Sequence, residues 1–255
     1  MNALPPCSGA YTPLATAADR SIAAVLPAVP MINLLVAALF LLGTHLGIAS
    51  TTLRGQLVGQ VGETAYRALY SLLALVALVW LIMAWRAAPV VPLWDAGPGM
   101  RHLIAAVMPL PFLLLVCAVT APNPTAVGQR PDPDAVPAVG IVRVTRHPMM
   151  WAVTLWAVLH LIGNGDAASL VFFATLATLA AAGTVLIDRR RTRENAPGWG
   201  VFLQATSNVP LLAILERRQR LAAGEIGLWR VALALALYVV FLWWHPWLFG
   251  AAPLG

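Results

Sequence analysis

The chain contains no lysine, few charged residues and only two cysteines. Charged residues make up 10% of its 255 residues, and all 16 basic side chains are arginines; soluble domains carry about a quarter charged residues. A chain that is 60% hydrophobic cannot cover its surface with polar groups, so we expect lipid to be its solvent. Cys7 and Cys117 allow at most one disulfide and exclude a metal motif built from several cysteines.

The sequence also lacks the motifs of several enzyme classes. It contains no P-loop, dinucleotide-binding fingerprint, HExxH zinc motif or nucleophile motif. The excess of arginine does not indicate nucleic-acid binding, because most arginines flank apolar segments, where they set topology and contact lipid headgroups. The composition therefore predicts a lipid bilayer, and no nucleic acid, as the partner of this chain.

Six segments are long and apolar enough, or nearly so, to cross a bilayer, which takes about 20 residues. They predict an all-α polytopic membrane helix bundle, with spans at 28–49, 66–87, 102–121, 148–163, 166–187 and 228–249. The fourth span is short, since its uncharged run from Met149 to Ile162 would rise only about 21 Å as a helix. The turn at 163–166 is therefore expected below the membrane surface, where backbone must be buried in protein.

The distribution of arginine predicts the orientation of the spans. Eight arginines follow the fifth span, three follow the third and two follow the first, against three on the opposite side. The positive-inside bias places the richer side in the cytoplasm and both termini outside. Residues 1–30 are poorly patterned and are expected to form an N-terminal extension before a membrane domain at 31–255, with Met31 as a hypothetical true start.

Histidines are candidate ligands, because neutral imidazole is the commonest protein ligand for metals and haem iron. The five are His45, His102, His147, His160 and His245. His102 and His245 lie near the ends of spans, where we expect water or headgroups to satisfy them.

His160 has the most unusual surroundings of the five. It follows Trp156 inside an apolar run and precedes a polar turn that contains Asn164 and Asp166. An imidazole, an amide and a carboxylate at membrane depth are costly without partners, so any chemical function should centre here. Asp166 is also a plausible N-cap for the fifth helix.

A second ligand for His160 must come from another helix. His147 and His160 are 13 residues apart, which points them to helix faces that differ by about 140°. His45, near the end of the first span, is the best partner, and His147 is the fallback. An equally open interpretation of His45 is a histidine that only bonds a neighbour within a helix-packing face.

Four polar residues open the second span at helical spacing: Glu63, Tyr66, Arg67 and Tyr70. Their spacing of three, four and seven places them on one side of the helix. An interfacial tyrosine belt with a salt bridge is the favoured interpretation. The alternative is a set of hydrogen-bonding side chains over a buried polar ligand, such as a porphyrin propionate held by Arg67.

The chain resembles the NnrU family of bacterial membrane proteins, which shares a domain with the 15-cis-ζ-carotene isomerases. The likeness covers about residues 31–255, and its order and spacing are specific although each piece alone is weak. The stretches that carry it are Gly43-Thr44-His45, Gly62 to Ser71, Arg101-His102-Leu103, Arg146-His147-Pro148, Leu155-Trp156-Ala157, His160-Leu161, Asn164-Gly165-Asp166, Asp188 to Arg191, Thr206 to Pro210 and His245-Pro246-Trp247.

The resemblance implies an inner-membrane protein that is accessory to nitrite and nitric oxide metabolism in denitrification. The related isomerases carry haem b, with axial histidines that match His45 and His160, so these two are the predicted iron ligands. The wider set of candidate cofactor-binding residues is His45, His160, His147, Arg67, Tyr66, Trp156, Asn164 and Asp166.

Two alternatives stay open beside this interpretation. The first is a haem-dependent cis–trans isomerase of a carotenoid-like polyene. It is disfavoured because the isomerases have a cysteine three residues before the second histidine, where this chain has Ala157. The second is a membrane assembly factor without a cofactor, whose polar motifs only hold helices together.

Overall fold

The structure is a computed structural model that describes residues 28–49, 51–126, 129 and 138–254. The predicted N-terminal extension at 1–30 lies almost wholly outside the described residues, as does Cys7. Within them the fold is all-helical, as the sequence predicts, and no strand occurs there. The only other regular elements in that part of the chain are a short 3₁₀ turn at Gly140–Arg143 and one isolated backbone bridge.

The helices agree with the predicted spans. Five are long and apolar enough to cross a membrane, and Pro148–Asn164 is the shorter sixth that the sequence predicts. In chain order the helices are α1 Ala28–Gly43, which continues as a π-helical turn Thr44–Ala49, α2 Thr52–Val61, α3 Glu63–Ala87, α4 Gly97–Val107, α5 Pro109–Thr120, α6 Pro148–Asn164, α7 Ala167–Arg193, α8 Trp199–Ala205, α9 Leu212–Leu215, α10 Ala223–Ile226 and α11 Leu228–Phe249.

Three boundaries differ from the predicted ones by three residues or more. The second span begins at Glu63 rather than at 66. The third span begins at Gly97 rather than at 102 and changes from α4 to α5 at Met108, where Pro109 cannot donate a backbone hydrogen bond. Helix α7 runs to Arg193 instead of ending near 187, because arginine is a good helix former and its long side chain reaches the interface from below.

The bundle has a thin core and a broad apolar exterior. Neighbouring helices pack in the order α3, α1, α7, α6, α5 and α11. Leu34, Leu41 and Leu81 are buried between the helices, whereas Leu39 and Trp243 are 68% and 76% exposed. Exposed apolar side chains along every span are favourable only against lipid, so the burial pattern supports a membrane-embedded bundle.

The turn between α6 and α7 is held by the loop that follows α3. The backbone amides of Leu93 and Trp94 donate to the carbonyl of Gly165, and Ala167 donates to the carbonyl of Val91. Asp166 caps α7, since its carboxylate accepts a hydrogen bond from the Ser169 amide at 2.9 Å. The expected N-cap is therefore confirmed, and the backbone of this turn finds its partners inside the protein.

A polar cluster joins the arginine-rich ends of α6 and α7. Arg146 donates to both carboxylate oxygens of Asp188, and the Nε2 atom of His147 donates to Asp188 Oδ1 at 2.8 Å. Arg146 Nη1 also donates to the carbonyl of Thr206, and Trp151 Nε1 donates to the carbonyl of Asn208. These bonds fasten the connection between α8 and α9 to the two helices.

A second ion pair anchors the start of α11 through α10. Arg143 Nε and Nη2 donate to the two oxygens of Glu225 at 2.7 and 2.9 Å, and the Gly140 amide donates to Glu225 at 2.7 Å. The Arg143 hydrogen bond, helped by the Gly140 amide, lowers the pKa of Glu225 to about 2. The carboxylate therefore stays charged and bonded throughout the physiological pH range.

Gly165 provides a test of this fold. Its φ is +69°, and an added Cβ would overlap the backbone carbonyl of Trp94. Gly165→Ala should lower the thermal unfolding midpoint of the detergent-solubilised protein by at least about 2–4 °C, because a left-handed alanine alone costs about 1–2 kcal/mol. Gly200→Ala is the control, since nothing lies near its Cβ position; equal midpoints for the two variants would contradict the packing of this turn.

Candidate functional site

A cleft opens at the arginine-rich end of the bundle, between the end of α1 and the faces of α6 and α7. Its volume is about 380 Å³. One imidazole and one guanidinium face a wall that is otherwise apolar. The lining residues are His45, Leu46, Met150, Val153, Leu176, Leu179, Ala180, Gly183, Leu186, Ile187 and Arg190.

His45 enters the cleft from the π-helical turn that ends α1. The hydroxyl of Thr44 donates to the carbonyls of Phe40 and Leu41, and such side-chain bonds compete with the helical backbone bonds at this point. His45 Nδ1 donates to the carbonyl of Leu41 at 2.9 Å. Because that bond requires a proton on Nδ1, Nε2 is the ring nitrogen that would ligate a metal.

Two tyrosines lie beside His45, next to the residues that line the cleft. The ring of Tyr70 lies edge-on to His45 with a centroid distance of 5.4 Å, and Tyr66 stacks on Tyr70 at 5.8 Å. Both hydroxyls are buried and have no hydrogen-bond partner in the part of the chain that the structure describes. Of the two, only Tyr66 belongs to the predicted site.

Arg67 does not reach this cleft. Its side chain is 59% exposed and donates to Glu63 at 2.8 Å, and Glu63 is also paired with Arg54. The favoured interpretation of this face, a salt bridge beside tyrosines, describes the observed contacts of Arg67. The arginine that lines the cleft is Arg190.

His160 lies in a cluster of aromatic rings towards the other end of α6. Its ring is 4.7 Å from Trp156, 4.9 Å from Phe173 and 6.3 Å from His245, measured between centroids. Its Nδ1 atom donates to the carbonyl of Trp156, and Asn164 donates to the carbonyl of His160. Trp156 and Asn164 thus contact His160 directly, and His245 faces it across the cluster.

The two predicted iron ligands stand at different depths of the bundle. Met150, Val153, Ala157 and His160 share a face of α6 at spacings of three and four residues. His160 lies seven residues beyond Val153, a rise of about 10 Å, and does not line the cleft that contains His45. The joint ligation of one iron by His45 and His160 stays a prediction.

The other predicted candidates serve the fold in this structure. His147 is 1% exposed and bonds Asp188, so a ligand in the cleft would have to displace a buried ion-pair network to reach it. Asp166 is the N-cap of α7.

Sequence reasoning missed two residues that line the cleft. Arg190 is one of four arginines at the end of α7, and nothing in the run distinguishes it. Helical spacing places Arg190 on the cleft face of α7 only once the cleft is known. The lining residues of α7 then recur at intervals of three and four: Leu176, Ala180, Gly183, Ile187 and Arg190. Met150 reads as an ordinary apolar residue of α6.

The comparison with protein families gives one result. The sequence model of the NnrU protein matches residues 33–253, nearly the whole chain. Comparison with curated proteins and with solved structures gives no match. On this evidence the chain belongs to the NnrU family.

Proposed function

We propose that this protein binds haem b in the cleft beside His45 and is an accessory component of nitrite and nitric oxide metabolism in the inner membrane. The observation that carries the proposal is one imidazole facing a cleft with apolar walls and an arginine at its rim. The metabolic role comes from the family resemblance and rests on that alone.

The residues of the cleft fit the chemistry of haem. The macrocycle is apolar, as are Val153, Leu176 and Leu179; its iron takes a neutral imidazole, as His45 offers; and its propionates are anionic, as Arg190 requires. Bound haem would supply an iron that can change oxidation state and bind nitric oxide. The cleft is partly open, so a macrocycle larger than about 380 Å³ would have to extend out of it.

The chain's own residues orient the ligand and limit water. His45 is held at its ring by the Leu41 carbonyl, which fixes the tautomer that can ligate iron. His160, on the same face of α6, remains the predicted second ligand. The thioether of Met150, which lines the cleft, is a competing donor, since methionine also serves as an axial ligand.

An optical spectrum of the detergent-purified protein tests this proposal. We expect a haem absorption band that His45→Ala weakens and shifts, because the variant loses an axial ligand. His160→Ala and Met150→Leu then identify the second ligand by which of them changes the spectrum. His102→Ala is the control, since His102 is exposed and bonds only the Pro98 carbonyl among the described residues.

Two results would decide against haem or its suggested role. A purified protein with no haem band, even after reconstitution with haem, would exclude the cofactor. A band that the reduced protein keeps unchanged on exposure to nitric oxide would remove the basis for a nitric oxide response.

The proposed orientation has both termini in the periplasm. Arginines 189–191 and 193 extend α7 at the end of the bundle that also holds Arg143 and Arg146, and such an end belongs in the cytoplasm by the positive-inside bias. A reporter that is active only in the periplasm should therefore be active when fused after residue 255. Activity of a cytoplasm-only reporter at that position would reverse the assignment.

A further inference from the structure

We propose that Arg190, together with the hydroxyls of Tyr66 and Tyr70, forms a carboxylate-binding site at the mouth of the His45 cleft. The carboxylate belongs to an apolar molecule that occupies the cleft. If that molecule is a porphyrin, the inference rests on the proposed function. The carboxylate site itself does not depend on the proposed function.

Three buried donors in this region lack acceptors. The hydroxyls of Tyr66 and Tyr70 and the Nε atom of Arg190 are inaccessible and have no hydrogen-bond partner within the described ranges. Buried polar groups in native proteins are nearly always bonded, so each exception calls for a ligand or a cause. Tyr66 as a whole is only 7% exposed, which excludes satisfaction by bulk solvent.

These donors belong to one site. Tyr70 contacts the ring of His45, and Tyr66 stacks on Tyr70. Arg190 lines the same cleft as His45, and the two tyrosines lie next to that lining, on the side of His45. A ligand carboxylate at Arg190 would therefore have the two hydroxyls as neighbouring donors.

The charges at the mouth favour a single negative charge on the ligand. Arg54, the other arginine near Tyr66, already donates two hydrogen bonds to Glu63. Arg190 has a weaker partner, since its Nε atom lies 3.5 Å from Glu194 without hydrogen-bond geometry. One available guanidinium and two hydroxyls match a carboxylate, which accepts several hydrogen bonds and carries one charge.

The apolar walls define the rest of the ligand. Beyond the mouth, the cleft is lined by side chains such as Val153, Leu176, Leu179 and Ile187. The ligand must therefore carry its carboxylate at the edge of an apolar body. A porphyrin with propionate groups and a long-chain fatty acid both have this chemistry.

The test compares free acids with their esters on the full-length protein in detergent. The first probe is metal-free protoporphyrin IX against its dimethyl ester, and the second is a long-chain fatty acid against its methyl ester. We expect the wild type to prefer the porphyrin diacid by about tenfold or more, as hydrogen bonds to a charged group typically contribute.

Variants assign that preference to named side chains. Arg190→Gln should remove the preference for the acid and leave ester binding unchanged, and Arg190→Lys should keep part of it. The double variant Tyr66→Phe and Tyr70→Phe should reduce it, because it removes both hydroxyl donors while retaining the rings. Arg67→Gln, on the exposed side of the same face, is the control and should bind as the wild type does.

The outcomes separate this site from the haem proposal. His45→Ala should leave the acid preference intact, because the probes contain no iron. An Arg190-dependent preference in a protein that shows no haem band supports the site and overturns haem as its occupant. If the preference for the acid depends on Arg190 with the fatty acid but not with the porphyrin, the porphyrin is excluded as the occupant. Equal binding of acid and ester by both probes, or loss of preference in Arg67→Gln but not in Arg190→Gln, overturns the carboxylate site.

Discussion

Polar groups within a bilayer must find their partners inside the protein, and the arrangement of this bundle follows from that constraint. The buried Gly165 carbonyl accepts from two amides of a neighbouring loop, and His45 and His160 each donate Nδ1–H to a carbonyl one turn earlier. Asp188 is bonded by both Arg146 and His147. Each group would be costly alone in hydrocarbon, and each contact joins or stiffens helices.

Against this background, the unsatisfied donors near His45 are informative. A fold that finds partners for its loop backbone and its buried carboxylate leaves, among the described residues, two tyrosine hydroxyls and an arginine nitrogen without acceptors near one cleft, and His147 Nδ1 without a partner elsewhere. The simplest physical account is a site shaped for a ligand that supplies those acceptors. The ring cluster around His160 lies further along α6, beyond the buried Ala157, and does not line this cleft.

Much of the fold could be predicted from the sequence, because apolar length and the positions of arginine and proline act locally. The short fourth span and the Asp166 cap are examples, since each depends on a few adjacent residues. The site could be predicted only in part. The sequence offers Arg67 as a partner for an anion, whereas the packing of α1 against α7 makes Arg190 the arginine that lines the cleft.

The span boundaries already predict that His45 lies towards the cytoplasmic side and His160 towards the outer side, but the sequence does not fix how far apart they are. Helical phase indicates which face a histidine occupies, but the axial level depends on how α1 and α6 slide past each other. The π-helical turn at Thr44–Ala49 further changes where the His45 ring points, and it depends on hydroxyl bonds from Thr44 that no periodicity reveals. Two histidines can therefore match a family pattern although that pattern does not fix whether both imidazoles reach one iron.

The central claim is that His45 presents its imidazole to a ligand in the cleft, and chemical rescue tests it most directly. His45→Gly removes the side chain at a helix end where there is space, and free imidazole is then added to the haem-reconstituted variant. The account predicts that imidazole restores the wild-type absorption spectrum, because it replaces the missing ligand in the cavity left by the ring. A His45→Gly protein that already has the wild-type spectrum without imidazole would contradict the claim.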